Sequence, residues 1–393
     1  MSDFFIKKIH VEKVRNIENL DILLSATERK HLILTGKNGS GKTSLLEAMR
    51  DRVLLEQRKS FSHSNERTQS LTNIVYGGID HTHLEKHAAG VLMEYSVPDL
   101  NYWQSMFVYL SAERKKLTPP SAIEPMNVLG KDLITLDASK DFLKYILSLD
   151  YQLYGAKSDG NVALEVNLTK WFDRFEGALR DIYDCKKLKL QRDTKNLSFR
   201  IAMPGYASFS LHEMSDGYKA FLDIFMELLM RMETDNGVVN YEQSAIVLID
   251  EIETHLHVEL QKRALPFLTK MFPNVQFIVA THSPFVITSI ENAVVFDLEK
   301  RIRLPRGEDD LTPLTDYSYT DIVEGYFDEP EYSESLQADF DRYVALVSQT
   351  SRTPEERKET RKLFDRLSNI PGTSPLSTAF YMFNRSIIND KVE

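Results

Sequence analysis

The run His31-Leu32-Ile33-Leu34-Thr35-Gly36-Lys37-Asn38-Gly39-Ser40-Gly41-Lys42-Thr43-Ser44 decides how this chain is read. A strand-length apolar segment enters a Gly-rich turn, and apolar residues at helical spacing follow at Leu45, Leu46, Met49, Val53 and Leu54. Strand, glycine turn and helix in that order are the setting in which successive backbone N–H groups converge on phosphate oxygens, with the positive end of the helix behind them. Lys42 would bridge β- and γ-phosphate oxygens and the Thr43 hydroxyl would ligate Mg²⁺. Gly36, Asn38, Gly39, Ser40, Gly41 and Ser44 complete the candidate nucleotide cradle.

Three further segments lie downstream. Ile246-Val247-Leu248-Ile249 is an apolar strand that ends in Asp250-Glu251. Acids at the carboxyl end of a strand can face a ligand beside the phosphate loop, Asp250 toward Mg²⁺ and Glu251 toward an attacking water, although acids also favour helix starts. The next apolar strand, Val275–Ala280, runs into Thr281-His282-Ser283-Pro284, from which His282 would reach a γ-phosphate. Between the phosphate loop and the acid pair lies Leu211-His212-Glu213-Met214-Ser215-Asp216-Gly217, where Ser215 and the N–H groups that follow open a helix toward an anion. Ser-Asp-Gly is also a common plain helix cap.

The order of these motifs resembles that of ABC-type ATPases, with Ser215 to Gly217 in the place of the family signature. In that family the signature of one protomer closes over the γ-phosphate held by another, which implies a homodimer or higher oligomer built on shared ATP sites. The opening stretch FIKKIHVEKVRNIENLDI resembles the first strands of RecF, SMC and OLD-type heads, and Asp250-Glu251-Ile252-Glu253-Thr254-His255-Leu256-His257 resembles their acidic stretch that includes the D-loop. Ile252 and Val258 stand where that stretch usually has prolines. Gln104 is the candidate for the Q-loop, and Ala112-Glu113-Arg114 stands where the subfamily often has an arginine loop. Thr43 and Ser215 are 172 residues apart, and nothing between them sustains the heptads of an SMC arm. The chain is similar to short OLD-like ATPases of prokaryotic anti-phage systems such as Septu, PARIS and retron operons. That resemblance implies a Mg-dependent ATPase whose oligomer regulates a separate effector, a nuclease or toxin. A RecF-like repair ATPase that binds DNA directly and an ATP-binding scaffold with little hydrolysis are the alternatives.

Composition fits this reading. The chain has 393 residues, 58 acidic and 48 basic, and a formal charge of −10, which argues against coating nucleic acid by bulk charge. No apolar run approaches a bilayer span, the N-terminus lacks the pattern of a secretory leader, and a single cysteine, Cys185, excludes an intrachain disulfide. A soluble cytoplasmic α/β protein with no membrane contact is therefore expected. Strands at Phe4–Val14, Leu20–Leu24 and His31–Thr35 open the chain, Val91–Val97 and Met106–Ser111 follow, and Leu188–Phe209 reads as a hairpin turning at Pro204-Gly205. Residues 56–90 read as polar and irregular, 130–185 as mostly helical. The later alternation of apolar strands and helices predicts a parallel sheet covered by helices.

The expected organisation is an ABC-ATPase head split by an insert: 1–112, a helical insertion at 113–187, the second half of the head at 188–305, and a helical tail at 306–393. Residues 308–341 carry twelve Asp or Glu and no Lys or Arg, either a solvated face or a docking surface for a partner. Asp321 to Gly325 and Asp339-Phe340-Asp341 superficially resemble a Toprim metal site, but the gap between them is too short for the intervening elements. His83 and His87, with His63 and His81 near in sequence, could share a zinc ion, though surface histidines are commoner. Lys186, Lys187, Lys189 and Arg192 could meet nucleic-acid phosphates or line the exposed face of a strand.

Overall fold

The computed structural model describes residues 4–61, 85, 87–96, 106–112, 141–193, 195–196, 198–232, 241–304, 314–316, 322, 333–349, 351–369 and 380–381. Residues Met1–Tyr319 and Thr320–Glu393 form separate units.

Strands β1 (Ile6–Val14), β2 (Ile17–Leu23) and β4 (Val91–Tyr95) make an antiparallel sheet in the order β2-β1-β4. Ile9 and Val11 of β1 and Leu20 and Ile22 of β2 are buried while Lys13, Glu18 and Asp21 face out, the alternation of a sheet with one covered face. The larger sheet runs β12-β11-β3-β10-β9-β5. Its members are β3 (His31–Thr35), β5 (Met106–Leu110), β9 (Ala245–Ile249), β10 (Val275–Ala280), β11 (Ala293–Asp297) and β12 (Ile302–Leu304). All neighbours pair in parallel except β11 and β12. Every residue of β3, β9, β10 and β11 is buried, as the apolar runs predict for strands covered on both faces. Strands from both sides of the helical segment share this sheet, since β5 pairs with β9 from Met106↔Ala245 to Leu110↔Ile249.

Helix α1 (Lys42–Phe61) follows the phosphate loop and buries Leu45, Leu46, Met49 and Val53. It runs past the expected end at Leu55, because Glu56, Gln57, Arg58 and Lys59 are good helix formers however polar they are. Helices α2 (Phe142–Asp159) and α3 (Val162–Ile182) form a hairpin across Gly160. Asn161 caps α3 by accepting from Leu164 N. The hairpin is held by Phe142, Tyr145, Trp171 and Phe175, and Phe175 stacks on Phe225 of α4 (Asp216–Arg231). The 188–209 segment makes three strands rather than one hairpin: β6 (Lys189–Asp193), β7 (Ser198–Ala202) and β8 (Phe209–Ser210). The Pro204-Gly205 turn joins β7 to β8; an earlier turn after Asp193, whose carboxylate accepts from Asn196 N, joins β6 to β7. Helices α5 (Val258–Met271) and α6 (Pro284–Ile287) follow β9 and β10.

In the second unit, α7 (Glu334–Val347) and α8 (Pro354–Ser368) enclose Tyr343, Leu346, Leu363, Leu367 and Phe380. Asp339 and Asp341 lie inside α7, where Asp339 pairs with Arg366 and Asp341 accepts from Gln337 Nε2. Asp321 and Glu324 are outside the described residues.

One buried polar side chain ties the two sheets together, and a second joins β3 to β10 within the larger sheet. Gln276 of β10, fully buried, accepts from Ile6 N at 2.7 Å and donates to Ile6 O at 3.0 Å and Lys30 O at 2.8 Å. His31 Nδ1 accepts from Phe277 N at 3.0 Å, so the ring must stay neutral. Burial, with Arg29 and Lys30 nearby, depresses its pKa to about 4. The unfolded chain therefore takes up this proton first, and the stability His31 contributes is full above about pH 6.5 and lost as pH falls toward 4. The loss should be about 3 kcal/mol in urea titrations across that window, and His31→Gln should flatten the slope. An equal slope in wild type and variant would contradict it.

Candidate functional site

The carboxyl ends of β3, β9 and β10 lie level, because Ala280 pairs with Leu34 and Val279 with Ile249. The three loops leaving these strands carry the three sequence motifs, at the edge where open parallel sheets bind ligands.

The loop after β3 turns through Gly36, Gly39 and Gly41 at φ +128°, +84° and +101°. A side chain at Gly41 would put its Cβ 2.8 Å from Ile17 Cδ1, so glycine is needed there for both backbone angle and space. Asn16, in the β1–β2 turn, braces the loop from outside by donating to Gly39 O at 3.2 Å and Ser40 O at 3.4 Å. Lys42 is buried and its Nζ donates to Gly36 O at 2.9 Å and Lys37 O at 3.2 Å. Burial lowers its pKa, offset by Glu253, Asp250, Glu251 and Asp297. An ammonium with only carbonyl partners inside a ring of carboxylates is poised to exchange them for an anion. Ser40 Oγ is buried without a protein partner, and Ser44 is buried at the helix start.

Thr43 Oγ1 donates to Asp250 Oδ1 at 3.2 Å, and Asp250 is buried with its N–H on Leu110 O. A hydroxyl and a carboxylate at this separation supply the hard oxygens that Mg²⁺ takes alongside phosphate and water. The donor set therefore fits Mg²⁺ and a triphosphate. Glu251 has a left-handed backbone at φ +45°, a strained angle for a non-glycine residue that turns it out of the strand direction, and its Oε2 accepts from Thr254 Oγ1 at 3.1 Å. His282 is half-buried; desolvation and the charge of Lys42 push its pKa down against Glu253 and Glu251, so the ring is neutral at pH 7.

Ser215 is exposed at the N-cap of α4, and its side chain makes no capping hydrogen bond. Gly217 is buried where a Cβ would meet His255 O at 3.0 Å, so the first turn of α4 packs against the loop after β9. Beside the phosphate loop a cavity of about 410 Å³ opens between Asn16, Lys37, Asn38 and the β11–β12 turn at Glu299 and Arg301.

The structure thus brings Lys42, Thr43, Asp250, Glu251 and His282 to one edge of one sheet. Two further acids sit at this edge that the sequence motifs do not single out. Glu253 binds the His282 loop, and Asp297, buried beside Gly36, accepts from Glu299 N and Lys300 N. An acid three positions after Asp250 was the available signal for Glu253; Asp297 gave none. Gln104, Arg114, His63, His81 and His83 lie outside the described residues. His87 pairs with Asp51 at 2.8 Å, and among the described residues no group of three metal-ligating side chains forms. Lys189 and Arg192 are exposed on β6 and paired with Glu176 and Asp150.

The family model described as "AAA domain, putative AbiEii toxin, Type IV TA system" matches residues 32–288, which include the phosphate loop, Ser215 to Gly217, the acid pair and the His282 loop. The chain belongs to this family. The Septu protein PtuA of Bacillus mycoides is 25% identical over 398 residues, 96% of this chain and 52% of that protein. The chain spans about half the length of that relative. The "Retron Ec83 probable ATPase" of Escherichia coli is 36% identical over 124 residues, 30% of this chain and 22% of its own. An SMC head bound to the C-winged helix domain of ScpA aligns with a TM-score of 0.39 at 13% identity, over 75% of this chain and 94% of that one. Among the described residues no helix is long and apolar enough to cross a membrane.

Gly41→Ala should remove calorimetrically detectable binding of a nucleoside triphosphate while leaving far-ultraviolet circular dichroism unchanged. A left-handed angle costs a non-glycine residue about 1–2 kcal/mol, and the added methyl meets Ile17. Affinity equal to wild type would mean that the loop does not need this conformation to bind.

Proposed function

We propose that the chain is a Mg-dependent ABC-type ATPase of a prokaryotic anti-phage system, and that its nucleotide-dependent oligomer regulates a separate effector, a nuclease or toxin. The approach of Thr43 to Asp250 at 3.2 Å, with Lys42 alongside, carries this reading. In it, the backbone from Gly36 to Ser44 and Lys42 would hold the β- and γ-phosphates, and Thr43 and Asp250 would hold Mg²⁺, which when bound would supply charge neutralisation at the phosphates. Glu251, turned out of the sheet by its backbone, orients and polarises the attacking water. His282, neutral at pH 7, donates a ring N–H toward the γ-phosphate. The free Ser215 hydroxyl and the helix start at Gly217 serve a nucleotide held by a second copy, so two chains close head to tail.

The reading assigns 1–112 and 188–305 to one head, 113–187 to an insertion and 306–393 to a tail that docks a partner or neighbouring protomer. It places the protein in the cytoplasm. The names of the Septu and retron relatives support the defence setting, and the pairing of Lys189 and Arg192 with acids gives no support to direct nucleic-acid binding.

Glu251→Gln should cut ATP turnover by roughly 100-fold or more and accumulate an ATP-bound oligomer in light scattering. Ser215→Arg should lose ATP-driven assembly yet bind ATP as a monomer. Unchanged turnover in Glu251→Gln would remove that residue from its role.

A further inference from the structure

The loops after β9 and β10 are joined by more than the sheet. Both oxygens of the half-buried Glu253 carboxylate are used across the gap: Oε2 accepts from Thr281 Oγ1 at 2.7 Å and Oε1 from His282 N at 2.6 Å. Thr281 is fully buried, and its hydroxyl also accepts from Ser283 N at 2.9 Å. Ser283 Oγ donates to Gln261 Oε1 at 2.6 Å, and Gln261 Nε2 donates to Leu256 O at 2.8 Å. Two side chains from the acid loop and α5 thus grip three consecutive residues of the loop that carries His282. Charged acceptors on neutral donors are the stronger members of such a network. Glu253 is also among the carboxylates whose charge acts on Lys42.

We propose that Glu253 is a positioning residue that fixes His282 relative to Lys42 and Glu251 by holding the Thr281 hydroxyl and the His282 amide. This rests on the ATPase reading above. A carboxylate whose charge acts on Lys42 opposes an incoming triphosphate, so its contribution lies in where it holds the histidine. Simple loss of structure would weaken binding, whereas loss of positioning lowers turnover alone.

The test uses the full chain with ATP and Mg²⁺. Glu253→Ala should lower kcat by about tenfold or more, while ATP affinity stays equal or tightens by up to roughly threefold. Hydrogen exchange at the His282 amide should accelerate by about tenfold or more. Thr281→Val should lower kcat in the same direction and Thr281→Ser, which keeps the donor, should retain it. The double variant Glu253→Ala/Thr281→Val should lose no more than about threefold beyond the slower single, since both break one device. Wild-type turnover in Glu253→Ala, unchanged His282 exchange, or kcat and affinity falling together would overturn the proposal. If the wild-type chain hydrolyses no ATP, the ATPase reading fails, and the His282 exchange experiment alone then decides whether the clamp exists.

Discussion

The structure depends on one registration. β3, β9 and β10 are parallel, fully buried neighbours whose carboxyl ends stop level, with Leu34 opposite Ala280 and Val279 opposite Ile249. Parallel strands covered on both faces cannot slip by one residue without turning buried side chains into the wrong layer. Packing therefore fixes where each strand ends, and three loops far apart in sequence emerge side by side. The 3.2 Å approach of Thr43 to Asp250, 207 residues later in the chain, follows from that packing rather than from any local preference.

The antiparallel sheet contributes through polar ties. Gln276 satisfies both backbone groups of Ile6, so the first strand is fixed to the sheet core by a side chain with no solvent access. Its neighbour in sequence, Phe277, gives its N–H to His31. Such groups are costly when unpaired and specific when paired. The β1–β2 turn supplies Asn16 to the phosphate loop and Ile17 against Gly41.

The parts of this architecture that were legible in the sequence are those that obey a period or a fixed spacing. The apolar strands β3, β9 and β10, the glycine turn and the acids at a strand's end were readable because burial on both faces and left-handed turns restrict residue choice. The extension of α1 to Phe61 is not readable in the sequence because a polar helix turn and a polar loop share a composition. The extra turn in the 188–209 segment was missed because Asp193 and Asn196 make it without glycine or proline. Pairings between distant loops left no local trace at all. Nothing around Glu253 announces that its carboxylate spans to residues 28 and 29 positions away.

The same comparison bears on Ser215. A serine opening a helix ordinarily turns its oxygen onto the helix's own N–H groups, and that is the plain reading of Ser-Asp-Gly. Here the backbone takes the N-cap conformation, yet the side chain makes no capping bond and stays exposed. Ser283 and Thr353, at comparable positions in α6 and α8, do accept from their helices, while Ser333 of α7, like Ser215, does not. The chain has the means to cap with a hydroxyl and uses it elsewhere. Leaving Ser215 uncapped forgoes roughly 1 kcal/mol of helix stability at the place where an anion could recover it. The buried Gly217 behind it packs against the loop that carries Glu251 and Glu253, so binding at this helix start would bear directly on the acid loop of the same chain. In the proposed assembly, a nucleotide held by one copy would thereby report its presence to the hydrolytic residues of the other.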